Sequence, residues 1–290
     1  MSAVEPVVST EWLAAHLGAP GLRVIDATWY LPHLKHDARA EFGAARIPGA
    51  VYFDIDEIAA PDSELPHMLP DAAQFGRQVG ALGIGNGDHV VAYGGRNLIA
   101  SARAWWMFRA FGHERVSVLD GGLPKWRAEG RAIEAGPSVA APAPKPFVAR
   151  FRPELVRDLG QVRDNVDTGR EQVLDARSRG RFLATEPEIR PGIRGGHIPG
   201  SLNLPYDRLF PGSEGTLAPV SDLKRVFEDA GLDLGKPVAT TCGSGVSAAV
   251  LALGLHVAGR PDVPVYDGSW TEWGGRADTP IATVEPGRPT

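Results

Sequence analysis

The chain contains a single cysteine, Cys242, in a place suited to nucleophilic chemistry. It falls within the stretch V-A-T-T-C-G-S-G-V-S at 238–247 of the 290 residues. A β-branched run comes before it and a strongly apolar run typical of a helix follows, so the sulfur is predicted to lie in a strand-to-helix loop. Ligands of parallel sheets bind at the carboxyl ends of the strands, so this loop is a candidate catalytic site.

The residues around Cys242 favour the thiolate, which is the reactive form of cysteine. Gly243 and Gly245 allow unusual backbone angles and leave N–H groups uncovered, and the predicted helix adds its positive end. The alternative, a small buried core thiol, is common for a lone cysteine. One cysteine also excludes an intramolecular disulfide and a multi-cysteine zinc site, and no metal or other cofactor is predicted.

The two halves of the sequence carry the same landmarks in the same order. V-I-D-A-T at 24–28 matches V-L-D-A-R at 173–177, A-R-I-P-G-A at 45–50 matches G-H-I-P-G-S at 196–201, and V-L-D-G-G-L-P-K-W at 118–126 matches V-Y-D-G-S-W-T-E-W at 265–273. The offsets of 149, 151 and 147 residues are nearly constant, which indicates a duplicated domain.

Short apolar strands alternate with amphipathic helices in each half. Asp71 is predicted to cap a helix that buries Phe75 and Val79, and Ser221 to cap one that buries Leu223 and Phe227. This alternation predicts an α/β fold with two tandem domains, each a mainly parallel sheet flanked by helices. We predict an N-terminal domain over 1–140, a Pro/Ala-rich linker over 141–152 and a C-terminal domain over 153–290.

Composition excludes several classes of protein. Hydrophobic residues make up 43% of the chain and charged residues 22%, as in ordinary globular proteins. The formal net charge of -5 provides no electrostatic basis for binding nucleic acid or an anionic membrane surface. The chain starts without a signal-peptide pattern and contains no apolar stretch long enough to span a bilayer, so we expect a cytoplasmic protein.

The cysteine loop, the H-I-P-G and D-G-G elements and the D-G-S-W turn together resemble the family of two-domain rhodanese-like sulfurtransferases. The resemblance covers about the whole chain. It implies two rhodanese-like domains and sulfur transfer through a persulfide on Cys242, without a cofactor. The matching position of the first half, in V-V-A-Y-G-G-R-N, has no thiol, so the N-terminal domain is expected to be structural and the C-terminal one catalytic.

The residues after the cysteine bear on the sulfur donor. Members of the family that use thiosulfate carry basic residues there, whereas this chain has Gly243, Ser244, Gly245, Val246 and Ser247. Thiosulfate is a dianion that a cationic loop would bind, while a neutral loop with a hydroxyl suits a thiol-bearing donor. We therefore expect 3-mercaptopyruvate as the donor and pyruvate as the product, with Gly243, Gly245, Val246 and Ser247 lining the donor site and Ser244 taking part in catalysis.

The resemblance also implies a proton relay. H-M-L-P in the first half contains His67, and Asp56 lies eleven residues before it. With Ser244, these residues could remove the donor's thiol proton, the carboxylate orienting the imidazole. A polar loop role is the alternative for His67, and Asp54 is a close competitor of Asp56.

Two arginines are expected to hold the donor. The segment G-R-F-L-A-T-E-P-E-I-R-P-G-I contains Arg181 and Arg190 and resembles the family segment that binds the α-keto acid. A planar guanidinium can pair with both oxygens of a carboxylate. Arg177 and Arg179 are possible substitutes. The paired tryptophans of the D-G turns, Trp126 and Trp273, are expected to be packing residues.

Other activities remain open at this stage. Thiosulfate sulfurtransferase shares the fold and the persulfide, and a non-catalytic sulfur-carrier module would use only Cys242. A cysteine phosphatase or arsenate reductase would need an arginine six positions after the cysteine, where this chain has Ala248. The expected sulfur acceptors are a small thiol, reduced thioredoxin or cyanide.

Overall fold

The structure, a computed structural model, describes residues 4–95, 98–136 and 142–284. The chain divides into two compact units. The first comprises Met1–Pro61, Leu69–Arg152 and Phe210–Leu217, and the second comprises Asp62–Met68, Pro153–Leu209 and Ala218–Thr290. Each unit thus includes a short segment from the other half of the sequence. None of the helices in the described ranges combines the length and hydropathy needed to cross a bilayer.

The first unit is built around a five-stranded parallel sheet with strand order β1-β5-β4-β2-β3. Its elements in chain order are β1 (Val7–Val8), α1 (Thr10–His16), β2 (Leu22–Asp26), α2 (Ala38–Ala44), β3 (Val51–Tyr52), α3 (Ala72–Ala81), β4 (His89–Tyr93), α4 (Ile99–Ala110), β5 (Val116–Leu119) and α5 (Gly122–Ala128). A short 3₁₀ helix at Pro32–Leu34 precedes α2.

The second unit repeats this topology, with strand order β6-β10-β9-β7-β8 and every pairing parallel. Its elements are β6 (Val156–Arg157), α6 (Leu159–Thr168), β7 (Gln172–Asp175), α7 (Arg179–Phe182), β8 (Leu202–Asn203), α8 (Val220–Asp229), β9 (Val238–Thr241), α9 (Ala248–Val257), β10 (Val265–Tyr266) and α10 (Ser269–Gly275). Short 3₁₀ helices lie at Pro153–Leu155 and Tyr206–Leu209. The predicted fold class and the duplication are confirmed.

Local sequence explains most helix starts. The Asp71 side chain accepts a hydrogen bond from the Gln74 N–H and caps α3, as predicted. The cap predicted for α8 is wrong: Pro219 is the N-cap, and Ser221 lies inside the first turn. Pro219 has an extended backbone, and its carbonyl accepts the first helical bond from Leu223. A proline with this geometry can start the helix without a side-chain cap.

The tryptophans of the D-G turns belong to the hydrophobic cores, as predicted. Trp126 is 1% exposed in the core of the first unit, and its indole N–H donates to the Ala132 carbonyl. Trp273 is fully buried in the second unit, and its indole N–H donates to the Pro280 carbonyl. Both side chains therefore pack their rings and satisfy their single polar group.

The segment 142–152, within the predicted linker, lies against the first unit; residue 141 is outside the described residues. Its backbone approaches α3 closely, and the Lys145 N–H donates to the Gly80 carbonyl. A methyl group added at Gly76 or Gly80 would lie 2.6 or 2.4 Å from a carbonyl oxygen of the segment. The Lys145 ammonium pairs with Asp88 at 2.7 Å. This contact is possible because α3 presents glycines.

Candidate active site

Cys242 follows the carboxyl end of β9 and precedes α9, as the sequence predicts. The residue is 1% exposed, and Ser244, two positions on, is 6% exposed. The sulfur is thus positioned by a central strand of the second sheet and by the start of a buried helix. This loop between β9 and α9, 242–247, is called the cysteine loop below.

Ser269 holds the cysteine loop in shape. Its hydroxyl accepts hydrogen bonds from the N–H groups of Cys242 and Gly245 at 3.2 and 3.0 Å, and it donates to the Tyr266 carbonyl at 2.7 Å. Ser269 is fully buried and has a φ of 50°, in the left-handed region that costs a non-glycine residue energy. The Ser269 hydroxyl makes three hydrogen bonds in spite of the backbone strain, which indicates that this residue has a specific role at the cysteine loop.

The backbone amides of the cysteine loop divide into two groups. Those of Cys242 and Gly245 are occupied by Ser269, so the expectation that the Gly245 amide is uncovered is wrong. Those of Gly243, Ser244, Val246 and Ser247 donate to no group of the described residues. Gly245 has a φ of 74°, which explains the glycine there. The Ser247 hydroxyl makes no capping bond to α9.

Arg181 extends from the short helix α7 to the cysteine loop. Its Nη2 lies 3.1 Å from the position of a Cβ added at Gly243, so a larger residue there would contact the guanidinium. The same nitrogen donates to Glu188 Oε2 at 2.6 Å, and Nε donates to that oxygen at 3.1 Å. The Arg181 Nη1 donates to no group within the described ranges.

Arg190 reaches the same loop residue through a threonine. Its Nη1 lies 3.5 Å from Thr271 Oγ1, which donates to the Gly243 carbonyl at 2.6 Å. The Thr271 N–H also donates to that carbonyl, at 2.9 Å. The two predicted arginines therefore converge on one residue of the cysteine loop from different elements.

Arg177 does not substitute for them. Its side chain is 1% exposed, forms a two-pronged ion pair with Asp175, and donates from Nη1 to Glu188 at 2.7 Å. The guanidinium also stacks on the Trp270 ring at 4.3 Å. The Arg177 guanidinium therefore donates its hydrogen bonds to groups of the protein interior. Arg179, the other substitute, is exposed on α7.

His197 of the H-I-P-G element supports the helix that carries Arg181. Its ring stacks on Phe182 at 3.7 Å, and its Nδ1 donates to the Phe182 carbonyl at 2.8 Å. Burial lowers the pKa of His197, so the ring is neutral at pH 7. A neutral imidazole with Nδ1 protonated fits this hydrogen bond.

His67 and Asp56 fall in different units. The segment Asp62–Met68, which carries His67, groups with the second unit, and Asp56 belongs to the first. His67 is 6% exposed and has a φ of 62°, a backbone conformation that is uncommon for residues other than glycine. The exposed Asp56 accepts a hydrogen bond at 2.8 Å from the Trp29 indole N–H, and its own N–H donates to Asp54.

The first unit has a matching loop after β4, with Gly94 at the position of the cysteine. Gly94 follows β4 as Cys242 follows β9, and its carbonyl accepts from the Leu123 N–H as that of Cys242 accepts from the Trp270 N–H. Gly122 has a φ of 54° at the position that matches Ser269. The first unit thus places glycine at both positions where the second has Cys242 and Ser269.

Sequence reasoning missed Glu188, Ser269 and Thr271. The signal for Ser269 and Thr271 was their place after β10, whose carboxyl end lies beside that of β9. For Glu188 the sequence shows only an acidic residue between two arginines, a pattern that predicts an exposed side chain.

The two parallel sheets and the cysteine loop define an α/β protein made of two rhodanese-like domains. A family model described as the rhodanese-like domain matches residues 9–129 and 158–276. The chain belongs to the two-domain rhodanese-like sulfurtransferases.

Named relatives agree with this assignment. The chain is 45% identical to "Thiosulfate/3-mercaptopyruvate sulfurtransferase 1, mitochondrial" of Arabidopsis thaliana, over 98% of this chain and 80% of the relative. It is 44% identical to "3-mercaptopyruvate sulfurtransferase" of Homo sapiens, over 97% and 96%. The crystal structure of the 3-mercaptopyruvate sulfurtransferase SseA from Escherichia coli superposes with a TM-score of 0.83 at 38% identity, covering 92% of this chain and 99% of SseA.

Proposed function

We propose that this protein transfers sulfur from 3-mercaptopyruvate to an acceptor through a Cys242 persulfide and releases pyruvate. The observation that carries the proposal is the convergence of Arg181 and Arg190 on Gly243, beside the sulfur-bearing residue. Two guanidinium groups at that point could hold the carboxylate and keto oxygen of an α-keto acid. Its thiol carbon would then face Cys242.

The neutral cysteine loop supports the choice of donor. Gly243, Ser244, Gly245, Val246 and Ser247 add no positive charge near the sulfur, whereas thiosulfate carries two negative charges. The human relative is named for 3-mercaptopyruvate, and the Arabidopsis relative is named for both donors. Thiosulfate sulfurtransferase is therefore the second candidate function.

The proposed first half-reaction balances without an oxidant or reductant. The Cys242 thiolate attacks the donor's sulfur, the C–S bond breaks, and its electron pair passes to the carbon as the pyruvate enolate. The thiol proton leaves sulfur and is delivered to that carbon. The products are a Cys242 persulfide anion and pyruvate, so charge and atoms are conserved. This covalent intermediate predicts ping-pong kinetics.

The proton transfer is assigned to Ser244 and His67, with Asp56 as the proposed carboxylate. Ser244 and His67 are both buried, which supports a role in proton transfer rather than in solvation. The left-handed backbone of His67 supports a functional reason for its placement. The assignment of Asp56 rests on the family resemblance.

The amides of the cysteine loop could stabilise the persulfide anion. The N–H groups of Gly243, Ser244, Val246 and Ser247 are unoccupied by protein groups in the described part of the chain. Preorganised N–H donors around a developing charge contribute strongly to catalysis, and the start of α9 adds its positive end.

Acceptor, domain roles and location are also proposals. A small thiol, reduced thioredoxin or cyanide would remove the outer sulfur and restore the thiolate. The domain over 153–290 would be catalytic and the domain over 1–140, joined by the linker 141–152, supporting. The location proposed is the cytoplasm, and imaging of a tagged protein tests it, since one relative is named as mitochondrial.

Mass spectrometry with a pyruvate assay tests the proposed function. Incubation with 3-mercaptopyruvate and no acceptor should add one sulfur atom to Cys242 and release one equivalent of pyruvate. Cys242→Ser is the control and should gain no sulfur. An unmodified wild-type protein that still turns over would disprove the persulfide, and absence of pyruvate release during turnover with a partner would support the sulfur-carrier alternative.

The same assays compare the donors. We expect kcat/KM for 3-mercaptopyruvate to exceed that for thiosulfate. A clear preference for thiosulfate would replace the proposed donor without affecting the persulfide.

A further inference from the structure

A buried carboxylate lies directly behind the donor-binding arginine. The side chain of Glu188 is 4% exposed. Its Oε2 accepts two hydrogen bonds from Arg181, and its Oε1 accepts one from Arg177 at 2.7 Å. Each carboxylate oxygen therefore faces a different guanidinium. The side chain therefore pairs with two cations at once.

Arg177 already has a carboxylate partner, so it does not require the negative charge of Glu188. It is already neutralised by Asp175, to which Nη2 donates at 2.6 Å, and it also donates to the Gly196 carbonyl. Asp175, Arg177, Glu188 and Arg181 together carry no net charge. Without Glu188 the same group would carry one positive charge, and the part of it nearest the cysteine loop is Arg181.

We propose that Glu188 is a specificity-determining residue that sets the charge of the donor site, so that the site favours a monoanionic keto acid over dianionic thiosulfate. Glu188 binds the Nε and Nη2 edge of Arg181 and leaves Nη1 for the donor. Arg181 thus offers a directed hydrogen bond with little net charge. The proposal rests on the proposed function for the identity of the favoured donor.

The physical reason is that added positive charge favours the more negative ligand. Replacing Glu188 by glutamine keeps the shape but adds one positive charge to the buried group. A ligand with two negative charges gains more from this than a ligand with one. At a distance of a few ångströms from Arg181, the difference amounts to about tenfold or more in relative affinity.

Glu188→Gln and Glu186→Gln form a matched pair for the test. Both substitutions remove one negative charge from the same loop, but Glu186 is exposed and bonds to the Ser178 hydroxyl at 2.9 Å. We expect the ratio of kcat/KM for thiosulfate to that for 3-mercaptopyruvate to rise about tenfold in E188Q and to change less than twofold in E186Q. The ratio is independent of the fraction of active enzyme.

An equal loss for both donors in E188Q would show that Glu188 only supports the structure and would overturn the proposal. If E188Q does not fold, Glu188→Asp tests the same idea, because it keeps the charge and shortens the side chain. In E188D both values of kcat/KM should fall while their ratio stays within twofold. A tenfold shift in E188D would show that charge is not the cause.

Binding measurements separate this inference from the proposed function. Calorimetry on the Cys242→Ser background gives Kd values for pyruvate and thiosulfate whether or not the protein turns over. E188Q on that background should bind thiosulfate about tenfold better relative to pyruvate. If wild type does not use 3-mercaptopyruvate, the proposed function fails; if the Kd ratio does not move, the role of Glu188 fails.

Discussion

Ser269 adopts a backbone conformation that destabilises the fold, yet its side chain holds the cysteine loop. A serine in the left-handed region is less stable than glycine there by about 1 kcal/mol or more. The first unit has Gly122 in this conformation, whereas the second keeps the serine, whose hydroxyl binds two amides of the cysteine loop. The strain is therefore tied to the position of Cys242.

Two variants at Ser269 separate the hydroxyl from the strain. Ser269→Ala and Ser269→Gly both lose the two bonds to the cysteine loop, each worth about 1 kcal/mol, so persulfide formation should slow about 10- to 100-fold in both. Ser269→Gly should be more stable than Ser269→Ala by about 1 kcal/mol, because only glycine tolerates the backbone angle. Single-turnover pyruvate release and thermal denaturation measure the two effects. A wild-type rate in Ser269→Gly would contradict this role.

The sequence predicts the residues that carry recognisable chemistry. Cys242 could be singled out as a candidate nucleophile because it lies in a glycine-flanked loop between a strand and a helix, and Arg181 and Arg190 through their resemblance to a family segment; their roles stay predictions. The contacts of Glu188 and Ser269 could not be predicted, because only the folded chain creates them; the place of Ser269 after β10 indicated its location but not its partners. Ser269 bonds to Gly245, 24 positions away, and nothing in D-G-S-W specifies that pairing.

At the scale of elements, periodicity and chain order predict the strands and helices that position the site. α9 is recognisable from its apolar run and β9 from its β-branched run, and the parallel order follows from their alternation. The packing of 142–152 on α3 could not be predicted. The prolines there indicate an extended chain, but the surface that it covers depends on glycines far away in sequence.

A pair of glycine substitutions tests this packing. Gly80→Ala adds a methyl group 2.4 Å from the Lys145 carbonyl oxygen, so it should destabilise the protein by about 1–3 kcal/mol. Gly43→Ala, in α2, adds a methyl group with no heavy atom within 4 Å and should stabilise by about 0.5–1 kcal/mol. Urea denaturation measures both. Equal changes in the free energy of unfolding for the two substitutions would mean that helix propensity, rather than the close contact, determines the stability change.

At the scale of the whole molecule, the two copies of the fold share the same supporting contacts but differ in the side chains at those positions. Both I-P-G landmarks form the same isolated antiparallel bridge, Arg46 with Glu134 and His197 with Ala282. Arg46 pairs with the Glu134 carboxylate, while His197 bonds to the Phe182 carbonyl of α7, the helix that carries Arg181. The first copy therefore uses the landmark for an ion pair, and the second uses it to hold α7.

Buried histidines in both units link stability to pH. Burial, with a smaller contribution from Arg115, lowers the pKa of His89 to about 4. The pKa values of His113 and His197 are also lowered, mainly by burial. His89 Nε2 donates to the Ser117 hydroxyl at 2.8 Å, since that hydroxyl donates its own proton to the Glu5 carbonyl. The folded state therefore holds His89 neutral.

The sign of the pH effect follows from this depressed pKa. The unfolded chain binds a proton at His89 near pH 6.5 and the folded chain only near pH 4, so the stabilisation is complete above pH 6.5 and is lost as the pH falls toward 4. The loss of stability from this one residue is about 3 kcal/mol.

His89→Gln can donate the same hydrogen bond without titrating. The free energy of unfolding of this variant should fall between pH 7 and 4.5 by about 2–3 kcal/mol less than that of wild type. Because Asp26 has a raised pKa and acts in the opposite direction, the comparison with wild type, rather than the wild-type curve alone, isolates His89. Parallel curves for the two proteins would show that His89 is not held neutral by the fold.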